Sequence, residues 1–231
     1  MSQPDQHNIK NRLLHGLSAA DFASIAPHLT HVTLTKGEVL VEPDLPIAHS
    51  WFIESGVASI LLATAQGHQT EIGVVGFDGM VDVATLHGAD RPAHRSFVQI
   101  AGSAWRISSV TLKGLLDSSP RLRQVLLGYA YLFLTQVSAN ALANASFPIE
   151  QRLARWLLMC NDRVAGNDVA ITHEFLALML NVRRAGVTTA IQALERIGLV
   201  AGRRGTIAIV DRPALERFAA DSYGFAEAAT A

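Results

Sequence analysis

The sequence predicts an α+β protein, with a strand-rich first half followed by a helical second half. Three observations carry this. β-Branched and aromatic runs separated by glycine turns stop near Ile107. An apolar spacing of three and four residues then persists from about Pro120 to Asn144. Finally, the stretch from Ala170 to Val210 reads as two helices joined by a tight turn and followed by a short hairpin.

In chain order, "DFASIAPHL" has the pattern of a short helix. The runs "HVTLT", "EVLVE", "HSWFIESGVASILLAT", "QTEIGVV" and "HRSFVQIAGSAWRIS" read as strands, punctuated at Gly37, Gly56, Gly67, Gly76 and Gly79. Short strands with turn glycines suggest a sandwich or a barrel. In "PRLRQVLLGYAYLFLTQVSANALAN", Leu122, Val125, Leu126, Tyr129, Leu132, Phe133, Gln136, Val137 and Asn140 form a seam of heptad character. Apolar residues this dense exceed what one face against the chain's own core requires. A homodimer is therefore expected through Leu122, Val125, Tyr129, Leu132, Phe133, Gln136 and Asn140, with the two amides setting register. Pro148 suits a first helical turn, which places a hinge at Ser146–Pro148.

In "AITHEFLALML", Thr172 is a helix cap, Glu174 lies in the opening turn, and Phe175, Leu176 and Met179 face inward. Asn181 stands where the chain must reverse, and Asn tolerates a left-handed backbone. The second helix is expected from about Arg183, with Val187, Ala190, Ile191, Leu194 and Ile197 inside. Ala185, Thr188, Thr189 and Gln192 lie opposite, with Arg184 at the leading edge. Gly186 and the branched Val187, Thr188 and Thr189 are poor first-turn residues. They make sense if this end enters a DNA major groove, where small side chains permit approach and arginine and threonine reach bases or phosphates. "GLVAGRRGTIAIV" reads as a hairpin with Arg203 and Arg204 at its tip, a wing suited to the phosphate backbone. The expected DNA contacts are Thr172, His173, Arg183, Arg184, Ala185, Thr188, Thr189, Gln192, Arg203 and Arg204.

Bulk composition is consistent with this reading. The 231 residues are 49% hydrophobic and carry a net charge of −1. Residues 1–147 have a net charge of −2, whereas 148–210 have +3 with every basic residue an arginine. No signal peptide and no membrane-spanning run are expected, and the lone Cys160 excludes an intrachain disulfide, so a cytoplasmic protein is expected. The sequence holds no phosphate loop, nucleophile elbow or His-Glu-x-x-His motif, so no enzyme is expected. Its nine histidines lack diagnostic spacing, and no metal site is assigned.

"ITHEFLALMLNVRRAGVTTAIQALERIGLV" together with "RRGTIAIVDRPALE" resembles the DNA-binding unit of the Crp/Fnr family of bacterial transcription regulators, and the resemblance extends over nearly the whole chain. It implies a β-roll effector domain of double-stranded β-helix (jelly-roll) type at 1–118. A dimerisation helix and hinge follow at 119–147, then a winged helix-turn-helix domain at 148–231. It further implies a homodimer reading a near-palindromic site in double-stranded DNA, with RNA polymerase a candidate second partner. Arg184 falls on the family's guanine-contacting arginine and Thr172 on its phosphate-binding cap. Ala185 and Thr189 replace a Glu and an Arg of the best-known pattern, so a different operator is expected. In the family's nucleotide pocket, Gly79-Met80 falls on Gly-Glu, Arg95-Ser96 on Arg-Ser, and Val137-Ser138 on Thr-Ser. Met80 cannot accept a ribose hydrogen bond, although Asp78 and Asp82 lie nearby. Cyclic AMP is therefore not the expected effector, and no cofactor is assigned beyond an unidentified small molecule. The alternative is a β-roll adaptor whose C-terminal helices dock a protein.

Overall fold

A computed structural model describes residues 4–224. Two compact units account for the described residues: 4–60 with 75–133, and 61–74 with 134–224.

The first unit opens with two short helices, α1 (Arg12–His15) and α2 (Ala19–Ile25), each capped by the side chain at its N-terminus, Asn11 and Ser18. The strands are β1 (Thr30–Leu34), β2 (Val39–Val41), β3 (His49–Ala63), β4 (Gln69–Val75), β5 (Met80–Val81) and β6 (Arg95–Ser108). They form one six-stranded sheet of order β1-β6-β3-β4, with β2 on β6 and β5 on β3. β1 pairs antiparallel with β6 from Thr30↔Arg106 to Leu34↔Gly102. The expected strands and the short helix are all present. β5 and the helix α3 (Ser109–Ser118) are additions that the residue pattern did not indicate.

Where β3 and β6 cross most closely, both chains use glycine. Gly56 sits at φ +81°, and a Cβ on Gly102 would enter the backbone of Ser55 and Gly56. The turn before β5 is equally close, since a Cβ on Gly79 would enter the ring of Tyr129. Beyond β5, Asp82 adopts φ +82° and is buried. Its carboxylate accepts from the Ser50 hydroxyl (2.9 Å) and the Thr85 N–H (3.2 Å). Burial raises the Asp82 pKa, and hydrogen bonds from Thr85 and Ser50 and the charge of His94 oppose the rise. Burial lowers the His94 pKa, with Asp82 opposing.

The long helix is α4 (Pro120–Ser146). It ends within the expected break at 146–148, where Pro148 (φ −63°, ψ 159°) precedes α5 (Ile149–Asn161). The seam expected to face a second copy is largely occupied within the chain. Leu122, Tyr129, Phe133 and Gln136 are buried. The Tyr129 hydroxyl donates to the Met80 carbonyl at 2.9 Å. The Gln136 side chain accepts from the Val74 N–H at 2.7 Å, and Asn140 donates to the Ile72 carbonyl at 2.9 Å. These two amides are thus satisfied by β4 and are not register devices between copies, while Val125 is exposed and Leu132 half-buried. The exposed side runs through Gln124, Gly128, Tyr131, Ser138 and Leu142, with Thr135 half-buried between them. By length and composition α4 is apolar enough to cross a membrane, and Tyr129, Gln136 and Asn140 on it are bonded to the first-half strands as described.

The second unit contains α5, buried from Leu153 to Asn161, then β7 (Asp168–Val169), α6 (His173–Met179) and α7 (Arg184–Arg196). These are followed by β8 (Val200–Arg203), β9 (Thr206–Ile209) and α8 (Arg212–Ala219). The small sheet has order β7-β9-β8, so a third strand and a final helix extend the predicted hairpin. Cys160 is fully buried among the apolar residues of α5.

Two stability experiments follow. Gly102→Ala should cost about 1–3 kcal/mol, because the facing backbone must move, and it should lower the urea midpoint. For Asp82, the native state holds its proton to higher pH than the unfolded chain, so its ionisation removes stability as pH rises above about 4. His94 acts in the opposite sense, adding stability as pH rises toward about 6.5. Asp82→Asn should remove the first contribution and enlarge the second, because the Asp82 charge no longer holds the His94 pKa up. Urea unfolding at stepped pH should show the variant gaining on the native protein as pH rises.

Candidate nucleic-acid interface

The helical pair is built around the inner stripe of α7. Val187, Ala190, Ile191 and Leu194 are buried, against Leu176 and Met179 of α6, which are buried as well. Phe175 is only half-buried, and Ile197 does not belong to the stripe. Ile197 lies one residue past the last turn of α7 and is 55% exposed, because the chain there has already left the helical path. Thr172 caps α6, accepting from the Phe175 N–H at 3.3 Å. Asn181 carries the reversal at φ +49°. Arg152 of α5 donates to the Leu180 carbonyl at the end of α6, and burial lowers its pKa.

This packing sets what reaches solvent. Arg183, Arg184, Ala185, Thr189 and Gln192 are exposed, and Thr188 and His173 are half-buried. The Thr189 hydroxyl donates to the Ala185 carbonyl at 3.1 Å and the Thr188 hydroxyl to the Arg184 carbonyl at 3.2 Å. His173 Nδ1 lies 3.0 Å from the Thr188 oxygen. The Arg184 guanidinium lies 3.3 Å from the Glu174 carboxylate, an interhelical pair with both side chains about two-thirds exposed, at 66% and 68%. The residue pattern did not reveal either contact, since partners ten and fifteen positions apart on different helices leave no periodic signal.

The N-terminus of α7 has no side-chain cap. Its cap position is Arg183, and arginine cannot accept the first N–H groups. Two cations also stand at the positive end of the helix dipole, where folding alone favours carboxylates. An uncapped, cationic helix end is chemically suited to an anion such as a phosphate.

At the hairpin tip, Arg203 pairs with Thr206, leaving Arg204 and Gly205 as the turn, with Gly205 at φ +75°. Arg203 and Arg204 are both exposed. Glu195 of α7 accepts from the Gly202 N–H at 2.7 Å and so ties the wing to the helix. After the wing, Arg212 opens α8 and bonds to Asn161 and Asp162 at the end of α5, at 2.5 Å each.

The effector residues are placed less openly. In the first unit, Met80 and Ser96 are fully buried, and Gly79 lies under Tyr129. Arg95 is partly exposed, 3.3 Å from Glu42. Asp78 accepts from the Gly76 N–H at 3.0 Å, and Asp82 is engaged as described above. In the second unit, Val137 is half-buried, and Ser138 is exposed with its hydroxyl bonded to the Leu134 carbonyl. Among the described residues no group of three or more His, Cys, Asp or Glu side chains converges as a metal site would require.

Comparison with known proteins places this arrangement. Residues 151–218 match the model of the Crp-like helix-turn-helix domain. No curated protein sequence shows a significant match. Among solved structures, a protein of Eubacterium rectale assigned to the Crp/Fnr family of transcriptional regulators is 19% identical over 91% of this chain and 98% of its own, with a TM-score of 0.71. FixK2 of Bradyrhizobium japonicum is 16% identical over 83% and 98%, with a TM-score of 0.69. TTHA1359, a Crp/Fnr-family regulator of Thermus thermophilus, is 18% identical over 82% and 98%, with a TM-score of 0.66. The chain therefore has the fold of the Crp/Fnr transcription regulators and carries, at residues 151–218, a Crp-like helix-turn-helix domain.

Proposed function

We propose that this protein is a cytoplasmic, sequence-specific DNA-binding transcription regulator acting as a homodimer and without catalytic activity. The observation that carries the proposal is the leading turn of α7, which is uncapped, exposed and doubly cationic. Arg184 reads a base, Thr189 and Gln192 line the groove-facing side, and the small Ala185 permits close approach. Thr172, His173 and Arg183 flank the helix end and serve the phosphates, as do Arg203 and Arg204 on the wing. Thr188 holds the geometry through His173. The operator is near-palindromic because a twofold dimer presents two reading helices. RNA polymerase is the second partner of a regulator that activates.

Dimerisation uses the exposed heptad face of α4 through Tyr131 and Leu142, which are 69% and 57% exposed. The effector domain does not take cyclic AMP in the family's usual way, because Met80 stands buried where a carboxylate is needed. An adaptor that docks protein through an apolar surface is the competing reading, and salt distinguishes the two.

Binding of the full chain to duplexes selected from a random pool should weaken steeply as salt rises. Arg184→Ala should reduce affinity for the selected site by about 1–3 kcal/mol and relax one base position per half-site. Removing Arg203 and Arg204 together should weaken all duplexes alike and flatten the salt slope. Binding indifferent to salt would favour the adaptor. In sedimentation, Tyr131→Asp combined with Leu142→Asp should give a monomer, and a persistent dimer would place the seam elsewhere.

A further inference from the structure

Glu174 is the one acidic residue in the first turn of α6, and its carboxylate projects from the surface assigned above to DNA. A carboxylate facing phosphates is electrostatically unfavourable, so its presence there requires an account. The structure supplies a partner. Glu174 lies 3.3 Å from the guanidinium of Arg184, the residue assigned to base reading. Its chain neighbour His173 meets Thr188, one helical turn beyond Arg184, at 3.0 Å. Two consecutive residues of α6 thus engage the reading end of α7.

We infer that Glu174 is a positioning residue that sharpens sequence selectivity by holding and neutralising Arg184 until a correct base replaces it. This rests on the DNA-binding reading. Against phosphates alone, Arg184 gains little by leaving its carboxylate, because one ion pair is exchanged for another. A guanine edge offers the guanidinium two acceptors in one plane, a bidentate contact. Non-specific DNA is therefore held less tightly than the count of arginines implies, and the correct site loses less. The pair is exposed, so its effect is modest and decreases with salt.

The test measures full-length protein on two duplexes by fluorescence anisotropy across a salt series. One duplex is selected by the native protein from a random pool, and the other is a random-sequence pool of equal length. Glu174→Gln should tighten binding to the random pool by about two- to five-fold, the range expected of an exposed ion pair. It should add about 0.9 to the magnitude of the log–log salt slope, one further phosphate contact. The ratio of selected to random affinity should fall. Glu174→Asp, which keeps the charge, should restore most of that ratio. In an Arg184→Ala background, Glu174→Gln should change nothing. Equal tightening with and without Arg184 would mean that Glu174 merely repels phosphates, and it would overturn the inference while leaving DNA binding intact. Unchanged random affinity and ratio in Glu174→Gln would overturn it as well. If the native protein bound neither duplex, the DNA-binding reading itself would fall, and this inference with it.

Discussion

The burial of four side chains on α7 governs the rest. Val187, Ala190, Ile191 and Leu194 are at most 2% exposed and fix both the axis and the rotation of the helix. Each large member contributes about 1.5–3 kcal/mol on leaving water. Placing Arg183 and Arg184 at the positive end of the helix dipole costs about 0.3–1 kcal/mol apiece, and the missing cap about 1 kcal/mol more. Packing therefore outweighs a local arrangement that an isolated peptide would resist. Because the stripe determines which side is inside, it also determines that Arg184, Ala185 and Thr189 are outside.

The polar contacts around this core are economical in sequence and distant in space. Thr172 caps α6, Arg152 closes its far end, and Asn181 accepts a backbone conformation that other side chains adopt at a cost of about 1–2 kcal/mol. Glu195 anchors the wing, and Arg212 joins α8 to the end of α5. In the same unit, Trp156 donates to Glu71 at 2.6 Å and Arg155 to Asn140 at 2.9 Å, so the end of β3–β4, the last turns of α4 and α5 share one bonded network. The break at 146–148 therefore interrupts the helical path without separating its two sides.

The long helix shows why an apolar pattern does not name its partner. Leu122, Leu126, Tyr129 and Phe133 recur at helical steps, and such residues pack equally well on a second copy or on the chain's own strands. The close approach of Gly79 to Tyr129, the Val74 N–H that donates to Gln136 and the Ile72 carbonyl that accepts from Asn140 decide for the latter. What the helix leaves exposed is a less apolar stripe that is harder to recognise, because Gly128 and Ser138 dilute it.

The sequence alone determined the strand-rich first half, the long helix, the break at Pro148 and the two helices and hairpin from Thr172 to Arg204. Each of these is written in local periodicity, turn residues or caps, and these act over a few residues. Only the tertiary structure decided which face of α4 is open and that Ile197 lies outside the core. It also decided that Met80 and Ser96 are sealed and that Glu174 meets Arg184. Those outcomes depend on contacts between residues far apart in the chain. Burial competes among all available surfaces, and its result is set by the whole packing and not by any one segment.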